Sequence, residues 1–130
     1  MAEQVRETIE GEGYAVGHID GMGEGPGFRK VRQELGVTAF GIHVIVLPPG
    51  VEGRRHYHDR QEEIYFVHQG QVELRIGDGP IHLLGPGGIA RVDAPIVRSL
   101  RNPSASEDAV YLSAGGAGGY VGRDGQIVER

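Results

Sequence analysis

His56 and His58 are separated by a single residue, and Glu63 follows five positions after the second histidine. Side chains at i and i+2 of a strand share a face, so the two imidazoles can converge on one point. A tight connection at Asp59–Glu62 would return the chain antiparallel and set Glu63 across from them. Glu62 alternates to the opposite face, which makes Glu63 the carboxylate of choice. Two imidazoles and a carboxylate on one wall form a ligand set that suits a divalent transition metal such as Fe, Mn, Ni or Zn. Without such an ion the same groups need no cofactor, and either histidine could serve as a general base.

The elements that must position these residues are short. Thr38–Leu47 reads as a strand and stops at Pro48-Pro49, since proline cannot donate to a ladder. Arg54–His58, Glu63–His68, Val72–Ile76, Ile81–Leu83, Ile89–Val92, Ile96–Arg101 and Ala109–Leu112 follow as strands. A further strand is expected near Tyr14–Ile19, a short helix near Glu3–Ile9, and a closing hairpin around Asp124-Gly125. The 23 glycines fall between apolar runs with no Gly-X-Y period, the punctuation of tight turns. About nine or ten short strands at regular spacing, with no dividing linker, predict one all-β domain over 1–130, a sandwich or barrel.

The series Gly50, His56, His58, Glu63 and Gly70 has the spacing of the first signature motif of the cupin superfamily, and the chain resembles that family over roughly residues 40–112. The resemblance implies a double-sheet jelly-roll β-barrel with a core at about 36–114; the glycine-rich N-terminal segment and the C-terminal hairpin lie outside it. The resemblance also implies that His56, His58 and Glu63 are three of four metal ligands. The second cupin motif is altered. Aligned on Gly87 and Asn102, it has Asp93 and Pro95 in place of its proline and second glycine, and Arg98 where the fourth ligand, a histidine, would stand. No histidine follows His82, so no change of register restores that ligand.

Arg98 shares a strand face with Ile96 and Leu100, which predicts that it points inward. A guanidinium stays charged and cannot ligate a metal. It can pair with Glu63, or it can grip the carboxylate of a small anionic ligand. Tyr65, in phase with Glu63, is a candidate pocket wall. His43 lies on a strand whose two faces both look apolar, and it is a candidate pocket residue or a buried hydrogen-bonded histidine. His68 and His82 alternate outward, and His18 lies in the glycine-rich head. No residue can be named as catalytic from sequence.

Composition narrows the partners. The net charge is −5 and there is one lysine, Lys30, which argues against nucleic acid. There are no cysteines, hence no disulfide or thiolate chemistry. No apolar run approaches a membrane span, and a cytoplasmic protein is expected. The glycine-rich stretches lack the strand–helix context of a phosphate loop, and no Gly-X-Ser-X-Gly elbow occurs. The cupin resemblance leaves three functions open: a metal-dependent oxygenase, isomerase or decarboxylase; a non-catalytic small-molecule binding module; and a metal-free epimerase or isomerase. It also implies a homodimer, with edge strands as the means of pairing.

Overall fold

The computed structural model describes residues 2–128. In chain order the strands are β1 (Ile9–Gly11), β2 (Tyr14–Val16), β3 (Gly27–Arg29), β4 (Gly41–Leu47), β5 (His56–His58), β6 (Glu62–Gln69), β7 (Val72–Ile76), β8 (Ile81–Leu84), β9 (Ile89–Val92), β10 (Arg98–Arg101), β11 (Ala109–Gly116) and β12 (Gly125–Ile127). A 3-10 turn at Ile19–Gly21 and one short helix, α1 (Val31–Leu35), complete the set. The strands build two five-stranded antiparallel sheets, β12-β5-β10-β7-β8 and β3-β4-β11-β6-β9, with β1-β2 as a separate ribbon. This is the double-sheet, all-β architecture expected from sequence.

The inner faces follow strand alternation. In β6, Glu63, Tyr65 and Val67 are buried while Ile64, Phe66 and His68 are exposed. Tyr65 and Val67 join Ile45, Leu47, Val72, Leu74, Val92, Leu100, Ala109 and Tyr111 in one core between the sheets. A second cluster covers the outside of the β4/β11 sheet. Val44 and Val110 pack there with Val31 of α1, flanked by Ile19, Met22 and Leu35. That cover explains why β4 is apolar on both faces, and it leaves His43 in phase with the inward residues Ile45 and Leu47.

The ends depart from expectation. Residues 3–8 carry no helix, and the ribbon β1-β2 begins at Ile9. The Asp124-Gly125 turn makes no hairpin: β12 pairs instead with β5 and becomes a sheet edge. The β5 and β6 strands are not hairpin partners either. They lie in opposite sheets, and the turn between them crosses the barrel. Ile96 precedes β10 and is exposed, so it does not share the inward face of Arg98 and Leu100. β3 and α1 were not legible as elements. Glycines break the apolar pattern before β3, and five residues are too few for a helical period.

Gly70 closes the β6–β7 turn at φ 75°, where a Cβ would run into the Asp108 carbonyl and Ala109 Cα. Gly70→Ala should therefore cost about 1–3 kcal/mol. Chemical denaturation checks this, and an unchanged midpoint would refute the packing constraint.

Candidate functional site

Glu63 is 5% exposed and forms the floor of the site from the inner face of β6. Its Oε1 accepts from Tyr65 OH at 2.6 Å and from Arg98 Nη2 at 3.2 Å. Its Oε2 accepts from Ser113 Oγ at 3.1 Å. His58 Nε2 lies 2.9 Å from Oε1 and His56 Nε2 lies 3.8 Å away. The histidines come from the opposite sheet, so the cluster spans the barrel interior. Ser113 is set by register: it stands opposite Tyr65 on one side and His43 on the other.

Burial alone would raise the Glu63 carboxyl. Contacts with His56, His58 and Tyr65 outweigh it and hold the group far below the ordinary carboxylate range. Tyr65 moves the other way: burial and then the Glu63 charge push its phenol well above its ordinary value, so it stays protonated and donates. Burial is also the largest influence on His43 and lowers it, with Glu63 opposing. The neutral imidazole of His43 is edge-on to Phe28 at 5.0 Å.

Arg98 is completely buried. Its Nε donates to Tyr65 OH at 3.1 Å, and Nη1 donates to the carbonyls of Ile96 at 2.7 Å and Ala94 at 3.2 Å. Of its two expected roles, the geometry shows the pairing with Glu63. Arg98 is not among the residues lining the two cavities that His43, His58, Glu63 and Ser113 share. Those cavities measure about 370 and 270 Å³. Tyr65 and His56 border the smaller one.

The residues present fit a metal ion. Ligand atoms of His56, His58 and Glu63 lie within 4.8 Å of one another. His56 Nδ1 is 3.0 Å from the Arg54 carbonyl, which favours Nδ1–H and leaves the Nε2 lone pair free. His58 Nε2 is buried without a hydrogen bond, because its close approach to Glu63 is poorly aligned. Gln61 Oε1 is buried and unpartnered too, while Gln61 Nε2 lies 3.1 Å from His58 Nδ1. Rotating the Gln61 amide by half a turn exchanges its oxygen and nitrogen and brings Oε1 to His58 Nδ1. Oε1 then accepts from Nδ1–H, and the Nε2 lone pair turns toward His56 and Glu63, as a ligand must.

Asp124 was read from sequence only as a turn residue. Its carboxylate accepts from the backbone N–H groups of Arg60, at 3.0 and 3.2 Å, and Gln61, at 2.8 Å, and lies 3.6 Å from His58 Nδ1. It clamps the turn that carries the chain from His58 to Glu63. Burial would raise its pKa, but those backbone bonds lower it. Contact across 63 residues leaves no local signal. Ser113, in contrast, follows from extending the β11 alternation past Leu112.

The cupin domain family model matches residues 43–115, more than half of the chain. The chain is a cupin. The match takes in His56, His58, Glu63 and Arg98 but excludes Phe28 and Asp124, so this cupin completes its site with residues from outside the shared region. No curated protein sequence matches it significantly. Among solved structures, it resembles a conserved Klebsiella pneumoniae protein with a double-stranded beta-helix domain (TM-score 0.62, 22% identity, 71% of this chain and 76% of that one). It also resembles a sugar phosphate isomerase of the cupin superfamily from Silicibacter pomeroyi (TM-score 0.62, 28% identity, 68% of this chain and 57% of that one). A third match is a protein proposed to be a sugar phosphate isomerase from Acidithiobacillus ferrooxidans (TM-score 0.60, 26% identity, 68% of this chain and 56% of that one). The cupin thus spans little more than half the length of these last two proteins.

Removing Arg98 strands a buried carboxylate. Arg98→Ala should cost about 3–5 kcal/mol in a denaturation series, and a loss below about 1 kcal/mol would show that the pair is dispensable. The lowered Glu63 group contributes stability above its unfolded value of 4.5, and that stability is lost as pH falls below it. Thermal melts of Glu63→Gln should be lower than wild type at neutral pH, and the gap should narrow in acid.

Proposed function

We propose that this one-domain cupin is a metal-dependent enzyme that isomerises a small anionic carbonyl compound of the sugar-phosphate type. The observation that carries the reading is the buried, unpartnered His58 Nε2 facing Glu63 and His56 where two cavities meet. His56, His58 and Glu63 would hold the ion. A divalent cation bound there supplies a Lewis acid for a carbonyl or hydroxyl oxygen of the substrate. The likeness to a sugar phosphate isomerase and to a protein proposed to be one, at 28% and 26% identity, supports the substrate class.

The remaining roles follow from the side chains. His43 faces the cavity with a neutral imidazole and would take the proton from the hydroxyl-bearing carbon beside the carbonyl and return it to the former carbonyl carbon, while the hydroxyl proton passes to the former carbonyl oxygen. Tyr65, held protonated, and Ser113 keep the Glu63 oxygens oriented. Cytoplasmic location and assembly into homodimers belong to the same reading. The open sheet edges β3, β9, β8 and β12 offer a route to pairing. No helix among the described residues is long and apolar enough to cross a membrane.

One observation favours a metal-free variant. Glu63 already has a buried cation, Arg98, at 3.2 Å, so the carboxylate is compensated without an ion. In that variant His43 or His58 works as the base alone, or the pocket only binds its ligand.

Elemental analysis of protein purified without chelator separates these. The expected result is about one equivalent of Fe, Mn, Ni or Zn, lost in His58→Ala and Glu63→Ala. Less than about a tenth of an equivalent, with no gain on reconstitution, would sink the metal-dependent reading. His43→Gln should keep its metal and lose about 10²–10⁴-fold in turnover of sugar-phosphate substrates, and unchanged turnover would remove His43 from the chemistry.

A further inference from the structure

The larger cavity opens through a mouth that is chemically unlike the rest of the molecule. Lys30, Arg32, Tyr120 and Arg123 border it. All four lie outside the family match. The protein carries a net charge of −5 and a single lysine, and that lysine is here. Elsewhere on the surface Arg55, Arg91 and Arg101 pair with Asp78, Asp93 and Glu73. Among the described residues, none of the three mouth cations has a carboxylate within 4.0 Å.

The acids that border the same cavity are engaged elsewhere. Glu63 is taken up by Arg98, Tyr65 and Ser113, and Asp124 by the backbone of Arg60 and Gln61. The mouth is thus a local excess of positive charge over an acidic protein, and a partly enclosed cavity concentrates such a field.

Two of the cations are held in place. The Arg32 guanidinium lies 4.0 Å over the Tyr120 ring, which fixes its plane. Arg123 has φ 54°, the only non-glycine residue with positive φ among the described residues. Glycine would take that conformation without cost, so an arginine there calls for a reason beyond the turn. Its neighbour Asp124 anchors the backbone to the turn after His58.

Resting on the function proposed above, we propose that Lys30, Arg32 and Arg123 form a subsite for a phosphate monoester dianion. This subsite anchors the substrate's charged end at the mouth, so that its reactive end reaches His43, His58 and Glu63. Three cations with no acceptor of their own suit a dianion better than a single carboxylate, and planar guanidinium forks suit phosphate oxygens. Anion recognition therefore falls to the mouth and not to Arg98.

The test is titration with inorganic phosphate, followed by amide chemical shifts, on wild type and variants. Wild type should show saturable shifts around residues 30–32 and 120–124. Arg32→Gln and Arg123→Gln should each raise the phosphate Kd about tenfold, equivalent to about 1.4 kcal/mol. Arg101→Gln should leave it unchanged. Arg123→Gly separates binding from folding: it relieves the positive φ, so its Tm should equal or exceed wild type while phosphate binding weakens as much. His58→Ala should bind phosphate as wild type does. Several outcomes overturn the subsite: mouth variants that bind like wild type, binding lost in His58→Ala, or acetate binding as tightly as phosphate. A failed metal analysis would sink the enzymatic reading and leave phosphate binding to be judged by these titrations.

Discussion

The molecule is organised around a carboxylate that is almost entirely buried. Burying an ionised Glu63 between two sheets is costly unless each oxygen is met by a donor or a cation. Arg98, Tyr65 and Ser113 meet that demand from β10, β6 and β11. Arg98 in turn needs acceptors, and the carbonyls of Ala94 and Ile96 supply them just before its strand begins. The two imidazoles then face a carboxylate whose position is already determined. A partly satisfied network of this kind would be worse than an apolar core, and only the His58 Nε2 and Gln61 Oε1 atoms remain without partners among the described residues.

Segments on either side of the family match finish what the shared barrel leaves open. Phe28 on β3 holds the His43 ring, and α1 covers the outer face of β4. At the other end β12 adds to the edge of β5, and Asp124 clamps the turn between the sheets. The part of the chain that matches the cupin family thus supplies the floor and much of the wall of the pocket, and the flanking parts complete the wall and line the entrance.

Much of this was legible in sequence because two kinds of information are local. Period-two alternation placed Glu63, Tyr65 and Arg98 inward, and the spacing of His56, His58, Glu63 and Gly70 pointed to the barrel. The altered second motif is instructive. It keeps Gly87, which turns at φ 87°, and Asn102, which is fully buried and bonds the Leu47 and Glu107 carbonyls and the Ser104 N–H. Those residues build backbone, whereas the position that would ligate has become an arginine. Asp124, Lys30 and Arg123 could not be assigned, because their partners are set by how distant ends fold back. The expected β5–β6 hairpin failed for a related reason: a tight turn between two strands does not say whether they pair or pass to opposite sheets.

His56 and His58 ride on one sheet and Glu63 on the other, so the gap between imidazole and carboxylate is also the gap between sheets. An ion of larger or smaller radius would draw on side-chain torsions first and then on the spacing of the layers. Val67, Val72, Leu74 and Leu100 are the spacer that resists such movement, since a close-packed interior yields little. Preference among cations would then also depend on the stiffness of an oily wedge, in residues that never touch the ion.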